Sequence, residues 1–380
     1  MPSSGGAQTR GTGEWPLISE LSDGDEVVAR YVVLECRRLQ ARTGQPYLKL
    51  SLGDRSGTID GMIWEDADRW APVCAARSVI VARGQVSLYQ GRPQLRLLDV
   101  RAVEEPSPAD LERLIPTSPR DHEVMERELD RRISSIRDRG LQGLLRRCLG
   151  RDTEMGRAFR SHPAATKNHH AYLYGLLEHT LSVAGICERI AAHYEEQGIP
   201  LNRELLITGA LLHDIGKIRE MDPPPGASYT TQGRLIGHIV LGMQMVAQEA
   251  VGVAGLREEQ AMLVQHLIAS HQGKPEWDSP REPQVPEALV LHHADDLDAR
   301  INHIHTLLAG VEPGAWSEYD RLIGRPFYRA LDSGELDMLT APGGVAGDGA
   351  GNRALSSSES DVMAETPRGD DSSMMDLFRD

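Results

Sequence analysis

The 380-residue sequence contains only four cysteines, and they are widely scattered. No two of them form a Cys-x-x-Cys pair, so the sequence predicts neither a thiolate zinc site nor a disulfide framework. Long apolar runs are also missing, because no stretch approaches the roughly 18 residues that a transmembrane helix needs. The N-terminus lacks an apolar run behind a basic start, so no signal peptide is predicted. These absences lead us to expect a cytoplasmic protein with no membrane partner.

Aromatic residues are scarce at 4%, whereas hydrophobic residues make up 40% of the chain, enough for a sizeable core. The formal net charge of −15 is unfavourable for binding a polyanion, but the acidity is unevenly distributed. Residues 332–380 contain 11 acidic and 3 basic residues, whereas residues 16–103 contain 11 acidic and 12 basic residues. The nearly neutral N-terminal region therefore remains compatible with a nucleic-acid partner.

The N-terminal region has the pattern of a small β-barrel. We expect residues 1–14, which are rich in Gly, Ser and Thr, to be disordered. From Glu26 to Val103, apolar and polar residues alternate with period two between glycine-bearing turns, which indicates five strands and hairpins. With one short helical piece near residues 67–74, residues 15–104 predict a five-stranded Greek-key barrel of the OB type.

The remainder of the chain has a helical pattern. Residues 105–120 hold four prolines and are predicted to be an interdomain linker with one turn of helix. Over residues 121–335 the apolar period changes to 3.6, which predicts an all-α domain. Residues 336–380 are predicted to be a disordered acidic tail, whose Met-Met-Asp-Leu-Phe ending is a candidate docking motif for a protein partner. The predicted fold is therefore multidomain, with a β-barrel followed by helices.

Most of the 14 histidines lie between His169 and His305, inside the predicted helical domain. The sharpest element is Leu-Leu-His213-Asp214-Ile-Gly-Lys217. Adjacent residues on a helix differ by about 100° in direction, so His213 and Asp214 reach one metal only from a helix end or an inner bundle face. The other candidate ligands, each on a different predicted helix or helix end, are His179, His238, His271 and Asp295.

Mixed imidazole and carboxylate ligands suit divalent metal ions. Mn²⁺ is favoured, and Co²⁺, Fe²⁺, Ni²⁺, Mg²⁺ and Zn²⁺ are alternatives. The candidate ligands outnumber those of one tetrahedral site, so one or two ions are expected. Such ions make a nucleophile from water at neutral pH and neutralise phosphate charge. An isolated His-Asp pair is more often structural, and the surrounding set is what favours a metal site here. His292, His293, His303 and His305 are expected to be surface or packing residues.

These residues resemble the HD superfamily, whose pattern of His…His-Asp…Asp is matched by His179, His213-Asp214 and Asp295. Further motifs are similar to those of the YhaM-type 3′→5′ exoribonucleases, which also place an OB domain before the HD domain. The resemblance covers roughly residues 16–330. The motifs similar to those of the YhaM-type enzymes are Asn168-His-His-Ala-Tyr172, residues 175–183, Gly237-His-Ile239, residues 270–274 and residues 295–299. Two departures are Gln272, where the family usually has a second histidine, and Tyr174, where it usually has glycine.

The resemblance implies a metal-dependent 3′→5′ exoribonuclease that hydrolyses single-stranded RNA, and also single-stranded DNA, to nucleoside 5′-monophosphates. It assigns catalysis to His213, Asp214 and Lys217, and it places Lys217 and His170 near the substrate phosphate. Residues expected around the metal ligands or the phosphate are His170, His266, Lys274 and Arg300. The expected nucleic-acid surface of the OB domain, where aromatic rings stack on bases, comprises Tyr31, Arg37, Tyr47, Lys49, Trp64, Tyr89 and Arg92.

Two other functions are compatible with these motifs. One is an HD-type phosphodiesterase or phosphohydrolase of small or cyclic nucleotides, although the Gly-Tyr-Pro that follows the histidine pair in cyclic-dinucleotide enzymes is replaced here by Gly273-Lys274-Pro275. The other is a non-catalytic protein that binds single-stranded nucleic acid, which the complete ligand set disfavours. The sequence leaves open whether the chain forms a homo-oligomer.

Overall fold

The computed structural model describes residues 15–166, 170–225 and 228–331. The predicted disordered segments 1–14 and 336–380, and with them the docking motif of the tail, lie outside the described residues. By its internal contacts the chain divides into two units, one ending at Asp298 and one beginning at Ala299. Within the described part of the chain, none of the helices combines the length and the apolar character needed to cross a bilayer.

Five strands form a closed barrel in the N-terminal region, which confirms the predicted OB-type fold. The order around the barrel is β1-β2-β3-β5-β4, with β3 and β5 parallel and the other neighbours antiparallel. The strands are β1 (Glu26–Gln40), β2 (Pro46–Asp54), β3 (Gly57–Ile63), β4 (Val79–Tyr89) and β5 (Arg92–Val103). A short helix, α1 (Ala67–Trp70), follows β3, where the sequence predicts a helical piece.

The barrel core arises from the period-two pattern of its strands. In β1 the side chains of Val27, Ala29, Tyr31 and Val33 alternate inward and are buried. Tyr31 is 0% exposed, so the prediction that it lies on the nucleic-acid surface is wrong. The reason is its phase in the strand, because it shares the inward face with three apolar residues.

The predicted linker contains helix α2 (Pro108–Leu114), which begins at the N-cap Ser107. Leu114 is buried in a small apolar cluster with Val32 and Val79 of the barrel. The carboxylate of Asp110 pairs with Arg30 of β1. The segment therefore packs against the barrel as a helix, and the barrel and the helices up to Asp298 belong to one unit.

The described residues from 121 to 308 form helices, as predicted, whereas residues 314–329 are not helical and pair with one another in antiparallel fashion. The helices are α3 (His122–Ser135), α4 (Arg139–Leu149), α5 (Glu154–Ser161), α6 (Gly175–Glu196), α7 (Arg203–Leu212), α8 (Lys217–Glu220), α9 (Thr231–Ile236), α10 (His238–Ala250), α11 (Glu258–Ser270) and α12 (Pro286–Leu308). Helix α7 ends at Leu212. His213 and Asp214 therefore lie on the turn between α7 and α8.

Gly216 allows this turn to approach the start of α10. A Cβ atom at this position would lie 1.9 Å from the carbonyl oxygen of His238 and 2.6 Å from the backbone nitrogen of Gly242. These are backbone atoms that cannot move aside, so only glycine fits. The close contact brings His238, the first residue of α10, towards the His213-Asp214 turn.

Candidate metal centre

The structure brings the six predicted metal ligands together from five helices or helix ends. His179 lies in α6, His213 caps α7, Asp214 follows it, His238 begins α10, His271 caps α11 and Asp295 lies in α12. Five of the six side chains are buried, and His238 is nearly so. Their ligand atoms fall into two groups, within each of which all atoms lie within 4.8 Å of one another.

The first group consists of His179, His213 and Asp295. The Nε2 atom of His179 lies 3.1 Å from Oδ1 of Asp295 and 3.3 Å from Nε2 of His213. Nε2 of His213 lies 3.7 Å from the same Asp295 oxygen. Two ligand atoms each about 2.1 Å from one ion are separated by about 3–4 Å, so these spacings suit a shared ion.

The second group consists of Asp214, His238 and His271. Oδ1 of Asp214 lies 3.5 Å from Nε2 of His238 and 3.7 Å from Nε2 of His271. The other oxygen, Oδ2, lies 3.4 Å from Nε2 of His213 and 3.5 Å from Nε2 of His179. The Asp214 carboxylate therefore faces both groups, one oxygen to each, which is the arrangement of a bridging ligand.

Each of the four histidines has its Nδ1 atom hydrogen-bonded to an acceptor. Two of the acceptors are backbone carbonyls, which can only accept, so the corresponding Nδ1 atoms carry the proton. The pairs are His179 with Asp298 Oδ2 (2.8 Å), His213 with the Ala210 carbonyl (2.8 Å), His238 with Glu220 Oε1 (3.1 Å) and His271 with the Ile268 carbonyl (2.8 Å). Histidine ligands of metals are commonly oriented in this way by a second hydrogen bond.

The donor set fits divalent cations. With the Nδ1 atoms engaged, the Nε2 atoms direct their lone pairs at one another and at two carboxylates. Nε2 of His238 is buried and has no hydrogen-bond partner in the described structure. Imidazole nitrogens and carboxylate oxygens packed this closely are unfavourable in a buried site unless protons or a metal cation lie among them. The residues present therefore suit one ion in each group, with Asp214 between them.

Buried carboxylates dominate the electrostatics of the cluster. Burial favours a low pKa for His213, but the carboxylates of Asp214 and Asp295 together outweigh it and raise the pKa to about 10. Burial likewise opposes protonation of His179, and the contacts with Asp295 and Asp298 together raise its pKa to about 9. These protons supply positive charge that a metal ion would supply instead, since binding a metal releases protons from its ligands.

His271 and Asp214 shift in the opposite direction. Burial, reinforced by the charge of His213, lowers the pKa of His271 to about 3, so this imidazole is a neutral ligand. Burial acts to raise the pKa of Asp214, but Lys217, His213 and His238 together outweigh it and hold the pKa well below its usual value. Nζ of Lys217 lies 2.8 Å from Oδ2 of Asp214, which places a cation at the edge of the ligand cluster.

His170 lies in a buried network behind His179. Its Nδ1 atom is 2.8 Å from the Tyr172 hydroxyl, and its Nε2 atom is 3.5 Å from Oδ2 of Asp298. The Tyr172 hydroxyl donates to Glu178 at 3.0 Å. This placement differs from the expected contact with the substrate phosphate, because His170 is 2% exposed and contacts the carboxylate that orients His179.

The other three residues expected near the site have different surroundings. Nε2 of His266 accepts the backbone N–H of Gln284 (3.0 Å), and its side chain lines a surface pocket between α10 and α11. Lys274 is exposed, with its ammonium 4.7 Å from the centre of the Trp277 ring. Arg300 belongs to the second unit of the chain. The structure thus gives His266 and Lys274 other contacts than the six ligands.

Two carboxylates that position ligands were not predicted from the sequence. Asp298 accepts from Nδ1 of His179, and Glu220 accepts from both Nδ1 and the backbone N–H of His238 (3.1 and 2.9 Å). His292, expected to be a surface or packing residue, places Nδ1 2.8 Å from the carbonyl of His271. The spacing of Asp298, three residues after Asp295 on the same helix face, was the one available signal.

Comparison with known proteins is consistent with this geometry. Residues 176–300 match the HD domain family, and residues 31–103 match the OB-fold nucleic acid binding domain family. The chain is 34% identical to the 3′-5′ exoribonuclease YhaM of Bacillus pumilus, covering 80% of this chain and 95% of the relative. It is 33% identical to YhaM of Bacillus subtilis over the same shares. The chain belongs to the YhaM exoribonuclease family.

The barrel of this YhaM family member also has a slight likeness to the second OB-fold domain of replication protein A from Methanococcus maripaludis. The TM-score is 0.21 at 17% identity, covering 24% of this chain and 95% of that domain.

Gln272, the residue that departs from the usual family motif, is buried beside His271, and its Oε1 atom has no hydrogen-bond partner in the described structure.

Four of the predicted nucleic-acid contacts lie together on the outside of the YhaM-type barrel. The rings of Tyr47 and Trp64 stack with their centres 4.7 Å apart, and Trp64 is 42% exposed. Lys49 is two residues after Tyr47 and therefore on the same face of β2, and Arg37 is its cross-strand partner in β1. Tyr89 and Arg92 pair with each other at the β4–β5 turn, where Tyr89 is exposed.

Proposed function

We propose that this chain is a metal-dependent exoribonuclease that degrades single-stranded RNA from the 3′ end, with single-stranded DNA as a slower substrate. The observation that carries the proposal is the Asp214 carboxylate, whose two oxygens face two separate groups of buried metal ligands. The relatives named as 3′-5′ exoribonucleases span 80% of the chain, which supports the choice of RNA over small nucleotides. We place the activity in the cytoplasm, where four free cysteines are stable.

The six ligands would hold one or two divalent ions, of which Mn²⁺ is the favoured identity. His179, His213 and Asp295 would hold one ion, and His238 and His271 the other, with Asp214 between them. When bound, such ions lower the pKa of water and neutralise charge on the reacting phosphate.

The residues around the ligands keep the site in one arrangement. Asp298 and Glu220 fix the ring orientations of His179 and His238 through their Nδ1 atoms. The Lys217 ammonium lies beside Asp214 and carries a positive charge that a phosphate oxygen can approach, because its side chain is 15% exposed. These side chains position a phosphodiester so that water attacks phosphorus and the 3′ oxygen leaves. The product is then a nucleoside 5′-monophosphate.

The outer face of the barrel would hold the upstream part of the strand. Stacking of a base on an aromatic ring contributes about 1–3 kcal/mol and tolerates any sequence, because every base has a π face. The Tyr47–Trp64 pair offers such a ring surface. Lys49 and Arg37 beside it are paired with Asp60 and Glu35, and a backbone phosphate would compete with these carboxylates for the two cations. A duplex hides its base faces, so we expect paired regions to stall degradation.

One assay separates this function from its rivals. The full chain is incubated with labelled single-stranded RNA and, separately, with cyclic dinucleotides, each with Mn²⁺ or with EDTA. We expect RNA to be degraded to mononucleotides with Mn²⁺ and to stay intact with EDTA, and the Asp214→Asn variant to be inactive. Hydrolysis of cyclic dinucleotides alone would assign the site to small nucleotides. Binding of RNA without any hydrolysis would make the chain a binding protein.

A further inference from the structure

A hairpin follows α12 in the second unit of the chain. Residues 314–329 are held by backbone hydrogen bonds, which run from Gly314 N–H to the Arg329 carbonyl (2.8 Å), from Arg329 N–H to the Ala315 carbonyl (2.9 Å) and from Ser317 N–H to the Phe327 carbonyl (2.8 Å). Oδ2 of Asp320 is hydrogen-bonded to Nε2 of His303 in α12 at 2.8 Å, which connects the hairpin to that helix. The hairpin is therefore an ordered element that can present side chains in fixed positions.

The hairpin exposes an unusual concentration of aromatic rings. Trp316 is 66% exposed, Tyr319 is 65% exposed and Tyr328 is 46% exposed. The whole chain has 17 aromatic residues, and in its described part three others are exposed, namely Trp64, Tyr89 and Tyr194. Clustered exposed apolar side chains on a folded protein mark a binding surface more often than isolated ones do.

The arrangement of these rings suits planar ligands. Trp316 and Tyr328 are direct partners across the hairpin, with ring centres 5.3 Å apart, so they lie on one face. Arginine side chains accompany them, since the guanidinium of Arg325 lies 5.6 Å from the centre of the Phe327 ring and Arg321 is exposed. Aromatic rings interleaved with arginine are the combination that binds single-stranded nucleic acid.

The charge balance indicates which interaction dominates. The segment 311–331 contains three arginines and three acidic residues, so its formal charge is neutral. The carboxylate of Asp320 is engaged with His303 and with the backbone N–H of Ile323, whereas Arg321 and Arg325 are exposed. Binding at the hairpin would therefore rest mainly on stacking, with fewer phosphate contacts than a basic groove makes, and its dependence on salt would be weak.

We propose that the 314–329 hairpin is a second binding surface for single-stranded RNA, separate from the barrel, on which Trp316 and Tyr328 stack unpaired bases. The proposal rests on the proposed exoribonuclease function for its choice of ligand. Nucleic acid is the occupant that this composition fits, because rings on one face can stack on bases while the exposed guanidinium groups of Arg321 and Arg325 are available to phosphates. A second copy of the chain is the competing occupant.

The test measures RNA binding by the full chain in EDTA, which prevents degradation. The probe is a fluorescent 20-nucleotide oligouridylate that carries one photoreactive 5-iodouridine. We expect the Trp316→Ala/Tyr328→Ala variant to raise the Kd roughly tenfold or more, with little change in the slope of log Kd against log salt. Tyr194→Ala, which removes an exposed tyrosine from α6, is the matched control and should bind as wild type. Crosslinks should map to residues 316–328.

Two results would overturn the proposal. One is a wild-type Kd for the double variant together with crosslinks confined to the barrel. The other is a double variant whose Kd is unchanged but whose particle mass by light scattering is smaller than that of the wild type. That result would assign the hairpin to a contact between copies of the chain. Failure of the proposed function gives a different result. In that case the wild-type protein with Mn²⁺ would bind RNA without degrading it, whatever the double variant does.

Discussion

Replacing Asp298 with asparagine isolates the role of a carboxylate that does not belong to the six predicted ligands. Oδ2 of Asp298 accepts from Nδ1 of His179 at 2.8 Å, and its other oxygen accepts from the Ser182 hydroxyl. Asparagine keeps the size of the side chain but removes its charge, so the His179 ring loses orientation and basicity. Loss of such a carboxylate behind a histidine ligand typically costs 10–100-fold in metal affinity, or about 1.4–2.7 kcal/mol.

The assay follows the thermal midpoint of the full chain as Mn²⁺ is titrated, because an ion that binds only the folded state raises the midpoint. We expect Asp298→Asn to need 10–100-fold more Mn²⁺ for half of the stabilisation, and to regain RNA hydrolysis at high Mn²⁺. Asp296→Asn is the control, since this residue is two positions earlier and points about 200° away around α12. An unchanged Mn²⁺ titration for Asp298→Asn would refute the positioning role of the carboxylate.

The remaining predictions concern the ligands, the barrel face and the barrel core. Asp214→Asn should lower RNA hydrolysis by several orders of magnitude while circular dichroism and RNA binding in EDTA stay unchanged; substantial turnover at saturating Mn²⁺ would contradict the ligand assignment. Trp64→Ala should raise the KM for a 20-nucleotide RNA roughly tenfold and leave hydrolysis of bis(p-nitrophenyl) phosphate unchanged; an equal KM would remove the barrel face from substrate binding. Tyr31→Ala should lower the free energy of unfolding by about 3–5 kcal/mol, measured by thermal unfolding. Tyr31→Phe should be nearly neutral, because the Tyr31 hydroxyl is buried without a hydrogen-bond partner in the described structure. Equal losses for both Tyr31 variants would contradict the core position.

The barrel could be predicted from the sequence because strand alternation and glycine-bearing turns are local signals. The residue type of Tyr31, an aromatic in a nucleic-acid-binding type of barrel, favours the surface, whereas its position in the strand places it inside. Val27, Ala29 and Val33 share its phase and lie inside the barrel. Phase is the stronger signal, since the side chains of a strand alternate strictly between its two faces.

The six candidate ligands, which the structure brings together, could be predicted from the sequence, whereas the carboxylates behind them could not. His213 and Asp214 occur in a compact motif, and two of the other candidate ligands, His238 and His271, stand at helix ends. Glu220 supports His238 across 18 positions of the chain, and only because Gly216 lets the turn approach α10. No local pattern encodes that contact, which depends on how the helices pack. The carboxylates that orient the ligands therefore emerge only from the three-dimensional structure.

The central claim is tested most directly by the end from which RNA is shortened. Single-stranded RNA carrying a 5′ label is incubated with the full chain and Mn²⁺, with its 3′ end either free or blocked by an inverted nucleotide. We predict a ladder that shortens from the 3′ side on the free RNA, releases nucleoside 5′-monophosphates, and disappears when the 3′ end is blocked or when EDTA is added. Cleavage of a circular RNA, or release of mononucleotides first from the 5′ end, would contradict the account.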